Sequence, residues 1–150
     1  MELVTIHTIH MIGFHADIEK ETLENNYFRK VLFTGTHTQL VVMSLAPGED
    51  IGMETHHNLD QFFRFESGVG KVIMNGEETD VKADDVVIVP AGTNHNIINT
   101  SDTEPLKLYT LYSPPNHPVG TIHTTKAQAV EAEEAEHALS PKEVDLAQNE

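Results

Sequence analysis

The chain of 150 residues carries 24 acidic against 9 basic side chains, a formal net charge of −15, and it has no cysteine. So acidic a surface repels phosphate backbones and anionic headgroups, which argues against nucleic-acid and membrane-surface roles. Disulfides and thiolate chemistry are excluded. The length suits one domain with a real core, and no apolar run reaches the roughly 18 residues of a membrane span. The start lacks the basic stretch of a secretory signal, so a cytoplasmic protein is expected.

Taken in order, residues 1–16 alternate loosely, as an edge or dimer-forming strand would, and 17–26 read as an acidic loop or one turn of helix. Strand-like runs follow over 28–33, 40–45, 52–56, 61–66, 71–74, 78–81, 86–89, 95–99 and 106–112. Asn75-Gly76 is the strongest hairpin dipeptide, because both residues tolerate the positive φ of a type I′ turn. Many short strands with regular turn signals and no intervening helices predict an all-β sandwich or barrel. A closed barrel removes exposed edges and leaves a mouth for a ligand.

After Tyr112 the proline-rich segment 113–118 is expected to run over the surface. Thr125 and Gln128 have capping-box spacing, and the Ala- and Glu-rich run behind them is a good helix former to about Leu139. Within that helix Val130 and Leu139 are the residues worth burying. The expected organisation is therefore a barrel domain over 1–125, a short helix over 126–139 and a disordered tail over 140–150.

The chemistry-bearing residues cluster in Glu54-Thr55-His56-His57-Asn58-Leu59-Asp60-Gln61, and His95 follows the Pro90-Ala91-Gly92 turn. Alternation along a strand puts Glu54 and His56 on one face and His57 on the other. On the next strand Gln61 shares its face with Phe63 and Phe65, which would line a pocket, while Asp60 and Arg64 face away.

These two stretches resemble the two cupin motifs. The first motif's opening glycine, His-x-His pair, glutamate and closing glycine align with Gly48, Glu54, His56, Gln61 and Gly68. The second aligns with Asp84 in place of its first glycine, then Pro90, Gly92, His95 and Asn99. The likeness spans about residues 40–112, and the segment Pro114–His123 resembles the tail of small bacterial cupins labelled mannose-6-phosphate isomerase-like.

The resemblance implies a double-stranded β-helix, or jelly-roll barrel, with a short C-terminal helix. It implies one divalent metal on Glu54, His56, Gln61 and His95, with Glu and Gln replacing a usual His and Glu. Nitrogen and oxygen donors without sulfur suit Mn, Fe, Ni, Co or Zn. Asp60 would be a turn residue or orient a ligand histidine from behind, Asn99 would support the ligands likewise, and Glu54, His117 or His123 would move protons. A metal with one carboxylate keeps net positive charge, which suits a small, oxygen-rich, chelating ligand. The expected function is isomerase-type chemistry on a small carbohydrate or hydroxy or keto acid. An iron-dependent oxygen-using enzyme and a non-catalytic binding or sensing module are the alternatives. With no Lys/Arg cluster near the motifs, a sugar phosphate is disfavoured. A homodimer formed through residues 1–12 is expected.

Overall fold

A computed structural model describes residues 12–136 of the chain. The expected N-terminal strand lies mainly outside the described residues, as does the tail over 140–150; residues 12–16 form no strand. Helix α1 (Ile18–Glu24) is opened by Asp17, whose carboxylate accepts from the Lys20 N–H and satisfies one of the free amides of the first turn. Buried Lys107 donates to the Asn25 carbonyl and to Asn26 Oδ1, tying the chain just beyond the helix to the barrel.

Among the described residues nine strands follow: β1 (Arg29–Thr34), β2 (Gln39–Leu45), β3 (Asp60–Ser67), β4 (Val69–Met74), β5 (Glu77–Lys82), β6 (Val86–Val89), β7 (His95–Asn99), β8 (Leu106–Ser113) and β9 (Ile122–His123). They form a six-stranded antiparallel sheet, in the order β6-β3-β8-β2-β1-β9, and a three-stranded sheet, β5-β4-β7. The architecture is the expected jelly-roll barrel. Side-chain alternation explains its core. Val41, Met43 and Leu45 of β2, Phe63 and Phe65 of β3, and Leu106 and Leu108 of β8 point inward against Val72, Val81 and Ile97 of the smaller sheet. Each such side chain stabilises the fold by about 1.5–3 kcal/mol. At the predicted hairpin Asn75 and Gly76 have φ of 48° and 85°, and Met74 pairs directly with Glu77.

One expected strand is absent. Residues 52–56 do not pair with β3; this stretch instead runs beside β7 and touches it at two isolated bridges, Asp50 with Ile98 and Glu54 with His95. Gly52, at φ 106°, interrupts a continuous ladder between them, and its N–H donates instead to Asn96 Oδ1. A short strand at the other end, β9, pairs with β1 and carries the segment after the prolines back onto the barrel.

Residues 126–136 are helical, and the cap is reciprocal. The Gln128 N–H donates to Thr125 Oγ1, and Gln128 Oε1 accepts from the Thr124 N–H. Lys126 forms an ion pair with Asp50. Among the described residues of the helix Ala129 is buried and Val130 is exposed; Leu139 lies outside the described residues.

Candidate metal centre

The two motifs are joined by backbone. The Glu54 and His95 N–H groups each donate to the other's carbonyl at 2.9 Å, and the Gly92 N–H donates to the His56 carbonyl at 2.7 Å. Residues so paired across an antiparallel bridge project to the same face. His56 lies two positions on from Glu54, so its ring joins the Glu54 and His95 side chains. One donor atom from each of Glu54, His56 and His95 lies within 4.8 Å of the other two.

The orientation of these groups fits a cation. His56 Nε2 sits 2.8 Å from Glu54 Oε2, yet it is buried and makes no aligned hydrogen bond. Two donors that close, not directed at each other, suit convergence on a third point. His95 Nδ1 lies 2.9 Å from the Thr93 carbonyl, which can only accept. That contact makes Nδ1 the protonated nitrogen and leaves Nε2 its lone pair. Gln61, a direct cross-strand partner of Tyr112, donates through Nε2 to Thr110 Oγ1. Its Oε1 is buried with no partner, an acceptor available to a metal ion. Burial alone would raise the Glu54 carboxyl, but the His56 contact and the neighbouring His56, Arg29 and His95 groups outweigh it, and the net shift is downward. Glu54 is therefore ionised at neutral pH, as a ligand must be.

His57 is exposed and stands apart from this cluster. Asp60 takes the turn-residue role of its two expected ones, and Asn99 acts away from the ligands. Asp60 is exposed, and its Oδ1 accepts from the Ala91 N–H, so it braces the Pro-Ala-Gly turn and holds no ligand ring. Asn99 donates to the carbonyls of Leu45, Ala46 and Glu104, at the opposite end of β7 from His95. Phe63 and Phe65 point inward as expected, but they are closed into the core and do not line the cavity beside the donors. Phe63 meets the His95 ring edge-on at 6.4 Å, while Phe65 stacks behind it.

The cavity at the site, about 530 Å³, is walled by Glu54, His56, Arg29, the 116–123 segment and the helix residues Ala132, Glu133 and Glu136. Both histidines of the proline-rich wrap therefore stand at the site. Buried Gln39 pins that wrap: Oε1 accepts from the Asn116 and His117 N–H groups, and Nε2 donates to the His117 carbonyl. His117 Nε2 lies 3.2 Å from the Tyr112 hydroxyl. Burial, reinforced by the Arg29 charge, pushes His117 down to about 3. Burial likewise raises the Tyr112 phenol, which stays protonated at neutral pH.

Sequence reading missed Arg29, Gln39, Thr110 and Tyr112. A signal existed: each shares strand parity with core residues (Val31, Val41, Leu108), and a polar group at an inward position needs a partner inside.

The pattern that the Cupin domain describes matches residues 41–112. Uncharacterized protein YrkC of Bacillus subtilis is 52% identical over 127 residues, which span 81% of this chain and 68% of the relative. The chain belongs to the cupins. The crystal structure of BH2720 from Bacillus halodurans superposes with a TM-score of 0.78 at 47% identity, covering 81% of this chain and 97% of that one. An oxalate-binding protein of Thermotoga maritima is 32% identical over 62 residues, 41% of this chain and 51% of that protein. Among the described residues no helix is long and apolar enough to cross a membrane.

Proposed function

We propose that this cupin is a divalent-metal-dependent enzyme of isomerase type, acting on a small, oxygen-rich, chelating carbohydrate or hydroxy or keto acid. One observation carries the reading: the Glu54, His56 and His95 donors converge within 4.8 Å at the wall of a cavity that also holds His117. Glu54, His56, Gln61 and His95 would hold the ion, whose chemistry when bound is that of a Lewis acid and template for substrate oxygens. Ionised Glu54 offsets the ion's charge. His117 is uncharged at neutral pH, so it can take part in hydrogen bonding to a ligand as a neutral imidazole, its Nε2 lying against the Tyr112 hydroxyl. The wrap and the C-terminal helix narrow access for water, which strengthens polar interactions inside.

The oxalate-binding relative favours a second reading, a module that holds a chelating acid without changing it. Metal content after purification, followed by NMR of candidate sugars and acids in D₂O, separates these. Bound metal with solvent deuterium entering carbon-bound positions supports the isomerase. Redox-active iron with O₂ uptake points to the oxygen-using enzyme, and bound metal with binding but no exchange to the module. We also propose a cytoplasmic homodimer joined through residues 1–12; light scattering that gives a compact monomer at micromolar concentration would rule the dimer out.

A further inference from the structure

Arg29 is a buried cation that the metal site does not use. It walls the cavity together with Glu54 and His56, yet the residue is only 1% exposed. Its Cζ lies 5.3 Å over the Phe28 ring. Among the described residues it has no ion pair. An unpaired guanidinium in such a place is costly unless an anion comes to it.

Its hydrogen bonds show where that anion would sit. Nη1 lies 3.2 Å from His123 Nδ1. Arginine can only donate, so that imidazole nitrogen accepts, and burial followed by the Arg29 charge keeps His123 below its ordinary pKa. Nε is buried with no partner, and among the described residues Nη2 has no hydrogen bond. Nε and Nη2 form one edge of the fork, the edge that takes a carboxylate side-on through two parallel bonds. The Arg29 charge is felt at Glu54, Tyr112, His117 and His123, and at the last three the carboxylates of Glu54, Glu133 and Glu136 act in the opposite sense. Glu133 and Glu136, which also line the cavity, are exposed, and water screens them more strongly than it screens Arg29.

We propose that Arg29 anchors a carboxylate of the ligand, so that the site takes small dicarboxylic 2-hydroxy or 2-oxo acids, one end chelating at the metal donors and the other on the Nε–Nη2 edge. The chelating end rests on the metal reading above; the anchored end does not. It narrows the substrate class from neutral carbohydrates to diacids.

Malate and 2-hydroxybutyrate test this, because they share the 2-hydroxy acid head and the four-carbon length and differ in a carboxylate against a methyl. Titration calorimetry on the metal-loaded protein should show malate binding about tenfold or more tightly, the worth of a charge-assisted pair. R29Q should lose that preference while keeping its metal content and its affinity for 2-hydroxybutyrate. R29K, a point charge without the fork, should fall between. Equal affinities in the unaltered protein overturn the proposal without recourse to any variant, so a misfolded R29Q would not shelter it. An equal loss of both ligands in folded R29Q overturns it too. Displacement of malate by equimolar inorganic phosphate would overturn the carboxylate assignment. Repeating the titrations on chelator-treated protein separates the two readings. If the protein takes up no metal the metal site fails, whereas malate binding that still depends on Arg29 upholds the anchor and its loss sinks it.

Discussion

Glu54 and His95 face each other across an antiparallel bridge, each N–H donating to the other's carbonyl at 2.9 Å. They are forty-one positions apart in sequence, and this pairing sets the distance between the two halves of the donor cluster. Rigid backbone, not a flexible loop, therefore presents both side chains to the same point, which lowers the ordering cost of ligation. The Pro-Ala-Gly turn beside them is latched from two sides, by Asp60 Oδ1 on the Ala91 N–H and by the His56 carbonyl on the Gly92 N–H.

Asn99 is a structural clamp and should behave as one. Its amide donates to three carbonyls, and its Oδ1 accepts from the Ser101 N–H, so N99A strands several groups in a dry place at once. A loss of roughly 2–4 kcal/mol is expected, with metal content of the folded fraction unchanged. Urea unfolding and metal analysis of one preparation check both halves. A stable N99A that has lost its metal would return Asn99 to the site.

Gly68 should be equally unforgiving. Its φ is 98°, and an added Cβ would come within 2.5 Å of the Pro105 carbonyl oxygen and 3.0 Å of Leu106 Cα, both backbone atoms that cannot move aside cheaply. G68A is expected to lower stability by several kcal/mol, at the high end of single substitutions. A thermal midpoint within a degree or two of the unaltered protein would contradict the close approach.

The barrel was legible because apolar alternation and turn dipeptides are local signals. Gln61, Phe63 and Phe65 lie on one inward face of β3, as their parity required. What escaped was set by distant partners. The Glu54–His56 stretch looks like a strand, but Gly52 turns it away from β3 and onto β7, a choice made by Asn96 and His95. Phe63 and Phe65 could be placed inward, but nothing local showed that the barrel closes over them before the pocket begins. Arg29 escaped because its strand was read from its apolar residues, although it shares parity with Val31. The helix touches the cavity through Ala132, Glu133 and Glu136, a face without the apolar stripe that would have announced it.

The buried His117 makes stability depend on pH. Its folded pKa of about 3 lies below the ordinary 6.5, so between those values the folded state binds fewer protons than the unfolded one. Its contribution is full above pH 6.5 and is lost as pH falls through the window, by on the order of 1 kcal/mol per unit. His123 adds the same sign. Asp50 and Glu54, both lowered, contribute above their ordinary values and lose that contribution only as pH falls below them, so they stay silent from pH 7.5 to 5.5. Chelator-treated protein should thus unfold at lower urea at pH 5.5 than at 7.5, and H117Q should flatten the difference. An unchanged slope in H117Q would place the titrating group elsewhere.

The donor set itself gives the most exacting test. His56 and His95 supply imidazole nitrogens, His95 with its Nδ1 held by the Thr93 carbonyl, so H56A and H95A should each abolish tight metal binding. Glu54 is the one carboxylate, and its charge offsets the ion's in a partly dry pocket, so E54A should cost more than Q61A, which removes a neutral donor. Q61E adds a second negative charge at the unpartnered Oε1 position; it should hold metal more tightly yet make a poorer Lewis acid, because the added charge weakens the pull on bound substrate. H57A should leave metal content untouched, since His57 is exposed and stands outside the cluster. Metal stoichiometry for the six variants, loaded near neutral pH so that the imidazoles are free to ligate, decides among these outcomes. Full occupancy in E54A together with loss in H57A would move the site off Glu54 and require it to be redrawn around His56, His57, Asp60 and His95.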